Sequence, residues 1–242
     1  MAKKSGVAQK FFAGVYDLSG DISAISSCAT PVNTLDVTSI DKSAMERLQG
    51  SVSGNLSFNA FFNDASGAAH AALRAPTAGA PVSWFLGQTV GDPAFMAQIA
   101  QFAYDGSRDA DGALSFDVVF DTYSTLPVWG VILTAGLDRD TSGASTATLD
   151  QGAQTSAGAE AILHVTSFTG SNFTATVQDS ANGSDWGTLV AFTQVTDVGS
   201  ERVTVSGTVE RYVRVTTTGT FNPVDYAVSF RRGEATDRVT YS

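Results

Sequence analysis

Hydrophobic and polar positions alternate with a period of two along much of this chain, the pattern of half-buried strands. In NLSFNAF (55–61), Leu56, Phe58 and Ala60 alternate with Asn55, Ser57 and Asn59. KFFAGVYDLS (10–19), VSWFLG (82–87), LSFDVVFDTY (114–123) and VWGVILTAG (128–136) predict further strands. FMAQIAQFAY (95–104) fits two periods. Phe95, Ile99 and Phe102 would share a helix face, whereas Met96, Gln98, Ala100, Phe102 and Tyr104 would share a strand face. A polar turn with Asp109, Asp111 and Gly112 joins this run to the next strand, so a long hairpin is preferred. One segment reads as helix: DASGAAHAALR (64–74) is Ala-rich, offers Asp64 or Ser66 as a cap, and is followed by Pro76.

Beyond residue 158 the strand pattern is unbroken. AILHVTSF, FTATVQDS, TLVAFTQV, RVTVSGTV, RYVRVTTTG and YAVSFRR follow one another, with turns predicted at 169–172, 182–185, 198–200 and 221–223. Short strands so regularly spaced predict a β-sandwich, jelly-roll or Ig-like. Between the halves, LDRDTSGASTATLDQGAQTSAG (137–158) is rich in Ser, Thr, Gly and Ala without a sustained period, and it reads as a linker. The expected division is therefore 1–150 and 151–242. The segment from residue 30 to 54 is too long for a simple turn and mixes Asp36, Asp41, Lys42, Glu46 and Arg47 with Leu35, Val37, Ile40, Met45 and Leu48. Loops of that length in compact domains usually carry a function.

Composition sharpens this picture. The 242 residues carry 14 basic and 24 acidic side chains, a net charge of −10. Residues 1–150 hold 8 basic and 15 acidic side chains, net −7, and residues 151–242 hold 6 and 9, net −3. A stable nucleic-acid binder needs a basic footprint, and an anionic membrane surface would repel this chain. No window approaches the ~20 apolar residues of a membrane span, and the N-terminus lacks a signal-peptide core. The expectation is a soluble protein made in the cytoplasm. Cys28 is the single cysteine, so neither an intrachain disulfide nor a multi-cysteine zinc site can form.

The search for chemistry yields little. No phosphate-binding glycine loop and no nucleophile elbow is present. His70 and His164 are the only histidines, and His70 reads as a packing or hydrogen-bonding residue. Asp105, Asp109 and Asp111 with Gly112 resemble a calcium loop without its downstream Glu, and turn chemistry explains them better. Asp179, Asn182 and Asp185 read as a polar turn with a cation site as the alternative. Trp84, Trp129 and Trp186 are all read as core, although Trp186, near Phe168 and Phe173, could instead stack on a sugar. No catalytic, cofactor or metal residue is assigned, and an enzyme is not expected.

Taken together, YDLSGDIS (16–23), LDVTSIDKSAMERLQGSVSGNLSFNAFFN (35–63), AHAALR (69–74), QFAYDGSRDADGALSFDV (101–118) and PVWGVILTAG (127–136) resemble the major tail (tail tube) proteins of long-tailed bacteriophages of the siphovirus type. The second half looks like the sandwich often appended to such proteins. The resemblance implies a mainly β fold, a tail-tube-type barrel or sandwich with a flanking α-helix followed by a second β-sandwich. It implies a structural virion protein whose hexameric rings stack into a hollow tube for DNA ejection. Implied partners are other copies of the chain and the tape measure, tail terminator and distal tail proteins. DNA would only be in transit, no membrane is involved, and the outer domain would bind cell-surface glycans. On this view 151–242 is dispensable for assembly, 30–54 crosses between rings, and Asp117 and Asp121 are candidates for the channel wall. They share one strand face, and the opposite orientation stays open. A carbohydrate-binding surface or secreted protein, or a glycan-degrading enzyme with two acidic residues, are the alternatives.

Overall fold

The computed structural model describes residues 6–75 and 78–234. Lys3, Lys4 and Pro76, the expected helix stop, lie outside the described residues. The fold is antiparallel β of the sandwich class. The first half runs β1 (Lys10–Ala13), β2 (Tyr16–Asp17), β3 (Ile22–Ala29), β4 (Val32–Asp36), β5 (Arg47–Val52), β6 (Asn55–Phe61), α1 (Ala69–Leu73), β7 (Ala78–Phe85), β8 (Pro93–Arg108), β9 (Leu114–Thr122) and β10 (Val128–Ile132). The second half runs β11 (Asp138–Asp140), β12 (Leu149–Asp150), β13 (Ala159–Ser180), β14 (Gly187–Ala191), β15 (Gly199–Val205) and β16 (Tyr212–Arg232).

The alternating positions bury as expected. Leu56, Phe58 and Ala60 of β6 and Val118 and Phe120 of β9 enter one core with Phe11, Leu73, Phe95 and Ile99. Phe58 sits between Phe11 at 4.9 Å and Phe120 at 5.1 Å, ring centre to ring centre. The hairpin of β8 and β9 forms, turning at Asp109–Ala113. Its register shifts between Gln101 and Ala103, so the extra residue breaks the expected face. Phe102 is left exposed, and Tyr104 turns back to stack on Phe116 at 4.3 Å.

The helix is shorter than predicted, only five residues, and neither Asp64 nor Ser66 caps it. Asp21 does so from a distant turn, accepting the Ala69 N–H at 2.9 Å and the Asn63 amide at 2.8 Å. Periodicity along the chain cannot reveal a cap that arrives from elsewhere.

In the second half, two expected turns are bends within continuous strands. β13 spans 22 residues and β16 spans 21, and they pair along almost their whole length. The register shifts around Gly170. Gly170 has φ +153° and Gly219 has φ +137°, and a Cβ on either would lie 2.4 Å from a facing carbonyl oxygen, of Thr220 and Asn172 respectively. The strands thus turn a corner together, and one pair serves both layers of the sandwich.

The segment read as a linker is held along β16. β11 and β12 both pair with β16, and Ser145 bridges Thr216. Thr146 exchanges side-chain and backbone bonds with Val215 across this seam, and Thr217 does so with Ala144. Serine and threonine here supply hydrogen bonds rather than flexibility. The sheet does not break at residue 150: its strand order is β14-β13-β16-β10-β8-β7-β1-β2. Small apolar clusters also cross between the halves. Phe12, Phe85, Ala94 and Ile132 pack on Ala227, and Met96 and Val128 pack on Ile162.

Candidate assembly interface

Two surfaces of the first half stand out. The first is the open face of β3, β6, β9 and the far end of β8. Because side chains alternate, burying Val118 and Phe120 turns Asp117, Val119 and Asp121 to the other face. Asn55 donates to Asp121 at 3.0 Å and Asn59 to Asp117 at 3.0 Å. Ser57 lies between them, Ser23 donates to Asn59, and Asp105 pairs opposite Asp117. Ser107 and Ser115 continue the row. β3, β6 and β9 contain no lysine or arginine, and Arg108, the one cation of β8, stands at the hairpin end opposite Leu114. The result is a flat carpet of amides, hydroxyls and carboxylates without a positive charge. Asp117 and Asp121 share this face as predicted, opposite the core residues.

The second surface is the 30–54 segment. It folds as a two-stranded hairpin, β4 on β5, with Leu35 opposite Leu48 and Asp36 opposite Arg47. Asp36 also accepts the backbone N–H and hydroxyl of Thr38, which holds its carboxyl below the usual range. Lys42 meets Glu46 at 3.3 Å near the tip. This pair forms a sheet of its own, separate from the large one. Leu35, Val37, Ile40, Met45 and Leu48 are all exposed. A lone two-stranded hairpin is marginal in water, and five exposed large apolar side chains on it await a cover.

The other candidates are placed as follows. His70 bonds to the Tyr104 hydroxyl at 2.9 Å and packs by Phe62, a structural post for α1. Asp109 and Asp111 are spent on the β8–β9 turn, where Asp111 accepts the Ala113 N–H. Asp179 accepts the Glu210 N–H, whereas Asn182 and Asp185 bond to each other in the next turn, so the three do not converge. Burial pushes the half-buried Cys28 thiol up to about 11, the setting of an unreactive thiol.

Two of the tryptophans differ from expectation. Trp186 is half-buried and carries the Arg214 guanidinium 4.1 Å over its ring, outside the second core. Trp129 is 46% exposed, whereas Trp84, half-buried, packs against the first core. Apolar flanks alone made Trp129 look like core. A tryptophan at the rim of a sheet has the same neighbours in sequence.

Sequence reasoning missed His164. It is fully buried where the halves meet, with Nδ1 2.7 Å from the Gly14 carbonyl and Nε2 2.9 Å from Ser83 Oγ. The carbonyl can only accept, so Nδ1 carries the proton and Ser83 donates to Nε2. Ser83 Oγ in turn lies 2.9 Å from Ser229 Oγ. Burial lowers the histidine to about 4. The Ser–His pair has the distance of a nucleophile and its base. Ser83, His164 and Ser229 are all sealed from solvent, so no substrate reaches them.

Among the described residues no cluster of three metal-ligating side chains occurs, and no helix is long and apolar enough to cross a membrane. No family model matches the chain, and no curated protein matches it. Among solved structures, the crystal structure of the SPP1 Dit (gp 19.1) protein, described as a paradigm of hub adsorption apparatus in Gram-positive infecting phages, is similar at a TM-score of 0.36. It is 10% identical, over 93% of this chain and 100% of that one.

Proposed function

We propose that this chain is a structural subunit of a bacteriophage tail, of the tube-forming kind. The observation that carries the reading is the β4–β5 hairpin, which exposes Leu35, Val37, Ile40, Met45 and Leu48 and has no core of its own. Stacking on the next ring of a tube would cover it. Residues 1–150 hold the assembly surfaces, and 151–242 form a decoration outside the tube. The cation-free carpet around Asp117 and Asp121 is the channel wall. A wall without lysine or arginine displaces no counterions from DNA, so the DNA slides instead of binding. The order of motifs from Tyr16 to Gly136 supports the same reading. The implied partners are six copies per ring and the proteins at the two ends and in the lumen of the tail.

Electron microscopy of the purified full chain tests this. Rings or tubes are expected on raising the concentration. A protein that stays monomeric, by sedimentation as well as by microscopy, at all concentrations up to about 1 mM overturns the proposal.

A further inference from the structure

A wedge opens where β10 parts from β16. The two strands pair only at Val131–Phe230 and Ile132–Ser229, because β10 is also bound to β8. Gly130 sits at the apex, where a Cβ would lie 2.3 Å from the Phe230 carbonyl oxygen. Beyond it lies a cavity of about 300 Å³ lined by Trp129, Leu149, Asp150, Gln151, Arg231 and Arg232, with Glu234 at the rim. That volume is at the lower end of small-ligand sites and accommodates one sugar ring.

Three observations define the ligand. Trp129 is exposed on one side and braced on the other by Phe95 at 5.4 Å and Trp84 at 6.3 Å, a rigid apolar platform. Gln151 Oε1 is buried without a hydrogen-bond partner, an acceptor that lacks a donor. The charged lining carries both signs, Arg231 and Arg232 beside Asp150 and Glu234. Arg231 is steadied by the Trp129 carbonyl at 2.7 Å, and Arg232 by that of Ala153. Asp150 is fixed by two 2.7 Å bonds from Arg211, which hold it down at about 2. With both signs present and Asp150 already paired to Arg211, hydrogen-bonding groups define the lining more than net charge does. Fixed donors and acceptors beside an aromatic plate suit a ligand with an apolar ring face and hydroxyls on its edge.

We propose that this wedge binds a neutral saccharide, with one pyranose ring stacked on Trp129, a hydroxyl donating to Gln151 Oε1, and the two arginines donating to ring hydroxyls. The inference does not depend on the tube reading, since a monomer carries the same wedge.

The test uses the full chain and the methyl glycosides of glucose, galactose, rhamnose and N-acetylglucosamine, followed by saturation-transfer NMR and tryptophan fluorescence. At least one is expected to bind with a Kd of about 0.1–10 mM. Trp129→Ala is expected to weaken that binding about tenfold, and Gln151→Leu about fivefold, each with unchanged thermal unfolding. Trp186→Ala should leave it unchanged. Should Trp129→Ala disturb the fold, Gln151→Leu carries the test alone. No binding by any of the four up to about 50 mM overturns the proposal. So does binding that survives Gln151→Leu, or tighter binding of glucuronate or glucosamine than of the neutral sugars.

Discussion

At the scale of single residues, His164 is the most informative side chain. It is neutral because it is fully buried, and the single Gly14 carbonyl bond that favours the charged form does not offset that burial; Phe12 stacks on its ring at 5.4 Å. Its unfolded-state value is 6.5 and its folded value about 4, so the unfolded chain takes up the proton first. Its contribution is complete above pH 6.5 and is lost as the pH falls from there through 4. The loss amounts to about 3 kcal/mol. Urea unfolding at pH 7.5, 6, 5 and 4 checks this against His164→Gln, which should be less stable at pH 7.5 yet lose less on acidification. Equal acid sensitivity in both proteins would refute the assignment. Little of this was legible in the sequence. His164 sits in an alternating strand like any other inward position, and Gly14 and Ser83, which decide its state, lie 150 and 81 residues away. His70 was easier to read, because a histidine on a short Ala-rich helix has few roles other than packing. Asp117 and Asp121 were legible in part: a two-residue period fixes which residues share a face, but not what that face meets.

At the scale of elements, strands were easy to read and their ends were not. The alternation survives in β6, around Val118 and Phe120 of β9, and from Phe173 onward in β13, where one face is buried, whereas Ala159–Val165 of β13 are buried on both faces. The corner looked like two turns, at 169–172 and 221–223, because the glycine of the first and the proline of the second mark turns and tight bends alike. Here Gly170 and Gly219 allow two backbones to touch at a shared corner. Gly170→Ala or Gly219→Ala should each destabilise the protein by about 3 kcal/mol, read as a lower denaturant midpoint at unchanged slope. A variant as stable as the parent would show that the corner tolerates a side chain. The β4–β5 hairpin makes the opposite prediction, because it touches no core. Arg47→Glu places a carboxylate opposite Asp36 and should shorten or abolish tubes while shifting the Tm by less than about 2 °C. Tubes of normal length from that variant would remove the hairpin from the stacking contact.

At the scale of the whole molecule, the division near residue 150 came from a stretch poor in apolar residues, and composition alone makes such a stretch look flexible. It does not report that Thr146 and Asp140 each find a partner on the long strand β16, or that Asp150 pairs with Arg211 just before it. Nor does it report that β16 also pairs with β10, or that Ile162 and Ala227 cover Met96, Phe12 and Phe85. The second half is braced against the first in this way, not tethered by a string. The consequence reverses the expectation that 151–242 can simply be removed. Deleting residues 155–242 strips the partner strand from β10 and uncovers Phe12, Phe85, Met96 and Ile132, all now fully buried. It also leaves Ser83 without the imidazole it donates to. Each large apolar side chain returned to water costs about 1.5–3 kcal/mol, and four of them approach the whole stability of an ordinary domain. The truncated chain should therefore lose its cooperative thermal transition and appear in the insoluble fraction. Replacing Phe12, Phe85 and Met96 by polar residues in the same truncation should recover solubility in part. A truncated, unmodified chain that stays soluble, melts cooperatively and forms thinner tubes would show instead that the first half is self-sufficient, and that the shared core is an accommodation between two independent units.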